Sequence, residues 1–279
     1  MSTPAPEQHW DGLFGPDTVT WRVHSEPILW VAGLRALLLQ ALHPAALSGV
    51  LVHSDFRADP WGRLLRTAEY VGTVSFGTGE DVARVAGRVR ALHGKVAGAD
   101  PKTGVHYRAD DPQLLTWVHC CEVDSFLRVT QRAGLKLTAA EADRYVSEQV
   151  RAAELLGCRR GVVPASVGEL AAYFTEMRRE LRADSRARRI AAYVLWPPMP
   201  TWVSLLTPAR PLWVAASSLG LTTLPRWARR LYGLPGLPGT DLMATAELRA
   251  LRVASSRLPA SVREGPHLRA AKDRLGTSR

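Results

Sequence analysis

Residues 78–96 read TGEDVARVAGRVRALHGKV. Val82, Val85, Val89, Leu92 and Val96 follow at steps of three and four, the spacing that gathers side chains on one stripe of an α-helix. Thr78 with Asp81 opens the segment as a variant capping box, the acid being shorter than the usual Glu. A helix from Thr78 to about Ala97 is predicted, with that stripe buried. His93 sits beside Val89 and Leu92, so its imidazole is expected to point inward.

The flanking sequence carries the same signals. Asp59 before Pro60 combines an N-cap with proline at the first helical position, and launches a helix to about Ser75. Asp111–Pro112 repeats the device for a helix through Leu114 to Arg132. Thr138 with Glu141, and Ser166 with Glu169, are capping boxes. Pro27 opens a leucine-rich helix that should stop at Pro44, since proline lacks the N–H and clashes with the preceding turn. Beyond Leu195 a series of prolines from Pro197 to Pro238 cuts the chain into short helices and turns. A final helix is expected from Asp241 to about Leu258, and residues 276–279 read as disordered. No set of β-branched runs alternates at period two, so no sheet is expected. The prediction is an all-α fold: a short tail over 1–19, then one multi-helix globular domain over 20–275. Its last third, from about 196, is Pro-rich and basic.

With 279 residues, 46% of them hydrophobic, the chain can bury a sizeable core. Its net charge of +10 is uneven: from Arg178 onward there are 18 basic and 6 acidic residues. Such a basic third suits phosphates, an acidic lipid surface or an acidic partner, or is simply a solvated face. No aromatic-studded basic loop accompanies it, so nucleic acid is not expected as a partner. Cys120, Cys121 and Cys158 make neither a disulfide framework nor a zinc knuckle, and a reducing, cytoplasmic location is expected. The first residues do not read as a signal peptide. Trp202 to Leu224 comes nearest to a membrane span, but Pro208, Arg210 and Pro211 interrupt it. It reads as buried helices, with a membrane-surface patch as the alternative.

Arg63, Arg66 and Thr67 lie three and four apart and share a helix face. Two guanidiniums and a hydroxyl there make a carboxylate clamp, because arginine's planar fork binds a carboxylate at two points. The plainer alternative is a solvated pair of arginines neutralised by Asp59 and Glu69. For His93 the alternatives are a satisfied core histidine and a ligand; imidazole is the usual protein ligand of haem iron in oxygen chemistry. His43, His53 and His119 each fall near apolar residues. His119 and Glu122 have the i,i+3 proximity of helical di-iron sites in reversed order, but four inward carboxylates cannot be assembled. There is no Gly-rich phosphate loop, Rossmann fingerprint, Gly-x-Ser-x-Gly elbow or His-Glu-x-x-His. Nucleotide, hydrolase and zinc-protease chemistries lose their usual signatures.

Taken together, Gly33–Pro44, Gly49-Val50, His53–Phe56, Asp59-Pro60, Arg63–Thr67 and Val89–His93 resemble, in order, the MpaB/rubber oxygenase catalytic domain family. Tyr107-x-Ala109, Asp111–Val118, Leu155-Leu156-Gly157 and Pro164 continue the resemblance, which spans about residues 20–200. It implies an all-helical fold. It also implies haem b, since the latex clearing proteins of that family bind it and cleave polyisoprene double bonds with dioxygen. His93 matches their proximal haem ligand, and Arg63 and Thr67 match a polar arginine and threonine near the haem. Arg66 departs, standing where those enzymes have a lysine able to ligate iron from the distal side. A guanidinium has no free lone pair to offer, so a lysine-capped state is not expected here. The distal acid has no clear match, and rubber cleavage itself is not implied.

The expectation is therefore a haem b-dependent oxidoreductase acting on a small or medium apolar substrate with dioxygen or peroxide, and with an electron donor where the reaction needs one. His93 would hold the iron, and Arg63 or Arg66 would pair with propionates or steer oxygen, with Thr67 hydrogen-bonding nearby. Thiolate ligation is not expected, Cys120 and Cys121 being the only candidates for it. Two alternatives stand beside this. One is a cofactor-free helical binding protein docked to a membrane surface or acidic partner through its basic C-terminal third. The other is a non-haem metal site using His43, His53 or His119.

Overall fold

The computed structural model describes residues 10–54 and 58–276. Asp55 and Phe56 of the family-like motif, the first nine residues and residues 277–279 lie outside that description. The fold is built on two helices, α2 (Leu29–Gln40) and α6 (Pro112–Arg132), which cross in close contact. Val31, Leu34, Leu38 and Leu39 of α2 and Trp117, Val123, Leu127 and Val129 of α6 are buried, and Arg35 of α2 pairs with Asp124 of α6 at 2.7 Å among them. Around this pair lie α1 (Val19–His24), α3 (Pro44–His53), α4 (Pro60–Phe76), α5 (Gly79–His93), α7 (Ala139–Leu155) and α8 (Val167–Met177). The last third supplies α9 (Ser185–Leu195), α10 (Thr201–Leu206), α11 (Ala209–Thr222), α12 (Arg226–Leu231), α13 (Pro238–Ser256), α14 (Ala260–Arg263) and α15 (Pro266–Arg274).

The expected caps are formed. The Asp59 carboxylate accepts from Gly62 N–H at 2.8 Å and that of Asp111 from Gln113 N–H at 2.7 Å. The boxes at Thr78/Asp81 and Thr138/Glu141 are reciprocal. At Ser166 the hydroxyl accepts from Glu169 N–H, but Glu169 reaches back to Ala165 N–H rather than to the cap residue.

Four expectations need correction. Pro44 does not merely end a helix: α2 stops at Gln40, and Pro44 is the first residue of α3, with the His43 ring accepting from Ala46 N–H. α5 stops at His93 instead of about Ala97, and Leu92, expected on the buried stripe, is exposed. The chain then forms a two-stranded antiparallel hairpin, β1 (Ala97–Ala99) and β2 (His106–Arg108), pairing Gly98 with Tyr107. Three-residue strands, one of them Ala-Gly-Ala, are too short to show a period. A Cβ on Gly98 would stand 2.9 Å from the Tyr107 hydroxyl, so the glycine lets that ring lie across the hairpin.

The fourth correction concerns Trp202–Leu224. Ala216, Ser217, Leu219 and Gly220 in the second half of α11 are buried as expected, but no residue of α10 is. Within the segment expected as a tail, Phe14 is fully buried and Trp10 packs edge-on against Trp21 at 5.1 Å. Among the described residues no single helix is long and apolar enough to cross a membrane. The bent pair α2–α3, at 105°, passes that test by composition, but α2 is the core helix.

Candidate functional site between α4, α5 and α6

α4 and α5 form an antiparallel hairpin joined at Gly77–Thr78. Arg63–Thr67 lie in the first two turns of α4, and His93 is the last helical residue of α5. α6 packs closely against α2, α7, α1, α13 and α3, but neither α4 nor α5 is among its close partners. On α6, Val118, His119 and Glu122 keep partial exposure while Trp117, Cys120, Cys121 and Val123 around them are buried. Burial is nonetheless strong enough to lower the His119 pKa to about 4 and raise that of Glu122 to about 7. Both side chains are desolvated while each keeps some accessible surface, and this face of α6 is the candidate recess.

Tyr70 of α4 belongs to the same recess. Burial raises its phenol pKa, the Glu122 charge adds to the rise, and Arg90 of α5 opposes it. Arg90 also donates to Leu155 O at the end of α7. His93 lies one turn beyond Arg90 on α5. Its imidazole is half-buried, its pKa is lowered by burial against a smaller opposing effect of Asp110, and its buried Nδ1 has no hydrogen-bond partner among the described residues. It is neutral at pH 7 and keeps a lone pair.

The remaining expected site residues are engaged one by one. The Arg63 guanidinium, half-buried, donates to Ser54 Oγ, and burial and then the neighbouring Arg66 charge lower its pKa. Arg66 is exposed and pairs with Asp59 at 3.1 Å. Thr67, exposed, donates to the Arg63 carbonyl at 3.1 Å. The three share one side of α4 but do not converge on a common point. His43 and His53 sit elsewhere. His43 caps α3, lies 3.7 Å from Glu180 and packs on Trp117, while His53 packs against Tyr107.

Tyr70 and Arg90 carried no signal that sequence reasoning used. Glu122 carried one: it is a carboxylate inside Trp-Val-His-Cys-Cys-Glu-Val, a run that is otherwise apolar or weakly polar. The thiols of Cys120 and Cys121 are pushed well up by burial, which keeps them protonated and poor as iron ligands. Among the described residues no three His, Cys, Asp or Glu side chains are grouped as a bare metal ion would need. A haem asks the protein for one axial nitrogen, an apolar slot and cations for its propionates. The unpaired His93 nitrogen answers the first of these demands and the Arg63 and Arg66 cations the third.

A family model described as the ER-bound oxygenase mpaB/B'/rubber oxygenase catalytic domain matches residues 21–257, nearly the whole chain. No curated protein and no solved structure matches it.

Proposed function

Because the chain belongs to the mpaB/rubber oxygenase catalytic-domain family, we propose that it is a haem b-dependent oxidoreductase acting on a small or medium apolar molecule with dioxygen or peroxide. The observation that carries the proposal is His93: neutral, desolvated, with a buried nitrogen lacking a partner. Buried polar atoms are almost always hydrogen-bonded, and of the five buried side-chain atoms without a partner among the described residues His93 Nδ1 is the one imidazole nitrogen, the usual haem-iron ligand. His93 would be the axial ligand. Bound haem would supply the oxygen activation that side chains cannot.

The other residues hold and orient. Among the described residues Arg66 is tied to Asp59 by an exposed, solvent-screened ion pair, so a propionate could take that guanidinium over at little cost. Arg63, more buried, keeps its charge near the same end of α4. Glu122, with a pKa of about 7, is half protonated at neutrality and can hold or release a proton at its carboxyl oxygens toward a molecule in the recess. The Tyr70 phenol, its pKa raised, stays protonated as a donor beside it. An apolar substrate is in keeping with an oxygenase catalytic domain. An electron donor is a partner wherever the reaction needs net reduction.

The test is an absorption spectrum and pyridine haemochrome assay of the purified protein beside a His93→Ala variant. A Soret band lost or shifted by the substitution is the expected result. A band that ignores it would keep haem but move the ligand, to His119 or His43. No band after expression with haem supplied would overturn the reading in favour of a cofactor-free binding protein.

A further inference from the structure

From Ser185 to Thr240 the chain contains seven arginines and no carboxylate. That stretch also presents the most exposed apolar side chains of its region. Trp202, Leu205 and Leu206 are 63, 76 and 79% exposed, and Trp196 and Leu212 are 62% exposed. Within α10 the first three stand at i, i+3 and i+4, so they form one outward face. α10 has no buried residue. Isolated exposed leucines need no explanation, but a contiguous apolar face rimmed by cations marks an interaction site. Arg210 lies over the Trp196 ring at 4.7 Å, with its guanidinium also bonded to Ser204 Oγ at 3.0 Å, and exposed Arg188 and Arg189 precede the patch on α9.

We propose that α10 and its flanks are a membrane-docking surface for an anionic lipid bilayer: Trp202, Leu205 and Leu206 enter the acyl boundary while the arginines meet lipid phosphates. Three features favour lipid over a protein partner. The face is small, a six-residue helix bracketed by Pro200 and Pro208. Tryptophan and arginine are the side chains that settle at the lipid headgroup level, ring or stem in the apolar layer and polar end outside. Arg186, Arg226 and Arg229 are neutralised by Asp100, Asp184 and Asp241, but Arg188, Arg189 and Arg210 are in no ion pair among the described residues, which leaves their charge to attract anionic headgroups. The patch also adjoins the candidate site. Trp61, at the start of α4, packs edge-on against Trp213 at 4.7 Å and donates to Pro198 O at 3.0 Å. Docking there would bring an apolar molecule dissolved in the bilayer next to the helix that carries Arg63. The docking itself does not depend on the haem reading.

The test is co-sedimentation of the full chain with phosphatidylcholine vesicles containing about a quarter phosphatidylglycerol. Binding is expected to the anionic vesicles, weaker by about tenfold or more on pure phosphatidylcholine and falling as salt rises. A Trp202→Glu/Leu206→Glu variant should lower partitioning by about tenfold or more with an unchanged melting temperature, because the residues removed are exposed. An Arg188→Glu/Arg189→Glu variant should weaken binding to the anionic vesicles alone. If the first variant melts early, Leu205→Ala/Leu206→Ala replaces it with the same expected direction. Native protein that ignores anionic vesicles overturns the proposal. So does binding indifferent to these substitutions, and so does a concentration-dependent dimer, broken by the α10 variants, in place of vesicle binding.

Discussion

At Asp100 four donors converge on one buried carboxylate. Ser48 Oγ and Arg186 Nη2 donate to Oδ2 at 2.6 and 2.9 Å, and the N–H groups of Lys102 and Thr103 donate to Oδ1 at 2.8 and 2.9 Å. Burial alone would raise its pKa, but these bonds hold the carboxyl well below the usual range. The arrangement ties the β1–β2 turn to α3 and α9, behind the segment that links α5 to α6. Removing one partner of a buried pair leaves the other charge stranded, which costs about 3–5 kcal/mol. Arg186 keeps Asp184 at 2.9 Å, which puts the effect at the lower end. Asp100→Ala is therefore expected to lose about 3 kcal/mol in urea unfolding, and Asp100→Asn less, since the amide keeps an acceptor for the turn N–H groups. Equal losses from both would show that charge, not turn geometry, dominates there.

Among the elements, α11 crosses α2 in close contact at Gly220. A Cβ on Gly220 would stand 3.2 Å from both Arg35 N and Leu34 Cβ. Backbone of a buried helix cannot yield as a side-chain tip can. Gly220→Val is expected to lower stability by about 1–3 kcal/mol, the usual cost of overpacking, even though leaving glycine improves helix propensity. A urea midpoint equal to the native one would mean that α11 can lift away from α2. This crossing also shows what sequence reasoning reaches and what it does not. Helix starts at Asp59, Thr78, Asp111 and Thr138 were legible because a cap is a local contract between a side chain and the next turn. The exposure of α10 was not legible, because its Trp and Leu content is the same whether a helix is covered or bare. Nor was the close passage at Gly220, whose need for a bare Cα arises from a helix almost two hundred positions away. In the site, His93 stood out through its place beside an apolar stripe. Tyr70 and Arg90 did not, because the coupling of Tyr70 to Glu122 on α6 and to Arg90 on α5 joins helices far apart in sequence.

For the whole molecule, the buried titratable groups set opposing pH limits. His24 is buried between Ser75 Oγ and Tyr145 Oη, and burial lowers its pKa from 6.5 to about 3; His119 falls to about 4. Below pH 6.5 the unfolded chain takes up two protons that the folded one refuses, so stability falls as pH drops toward 4. Glu122 acts the other way. Its folded pKa of about 7 lies above the ordinary 4.5, so its contribution is fully present below pH 4.5 and is lost as pH rises through 7. Two histidines outweigh one carboxyl, so the native chain should still lose stability when acidified from pH 6.5 to 5. Glu122→Gln removes only the opposing term. The stability of that variant relative to the native chain should grow by on the order of 1–3 kcal/mol between pH 4.5 and 8, most of it below pH 7. Urea midpoints at pH 5, 6.5 and 8 for both proteins measure this. A difference constant across the three pH values would show that Glu122 ionises in the folded chain as it does in the unfolded one. The recess would then be wet at that wall, and Glu122 would not hold a proton for the proposed chemistry.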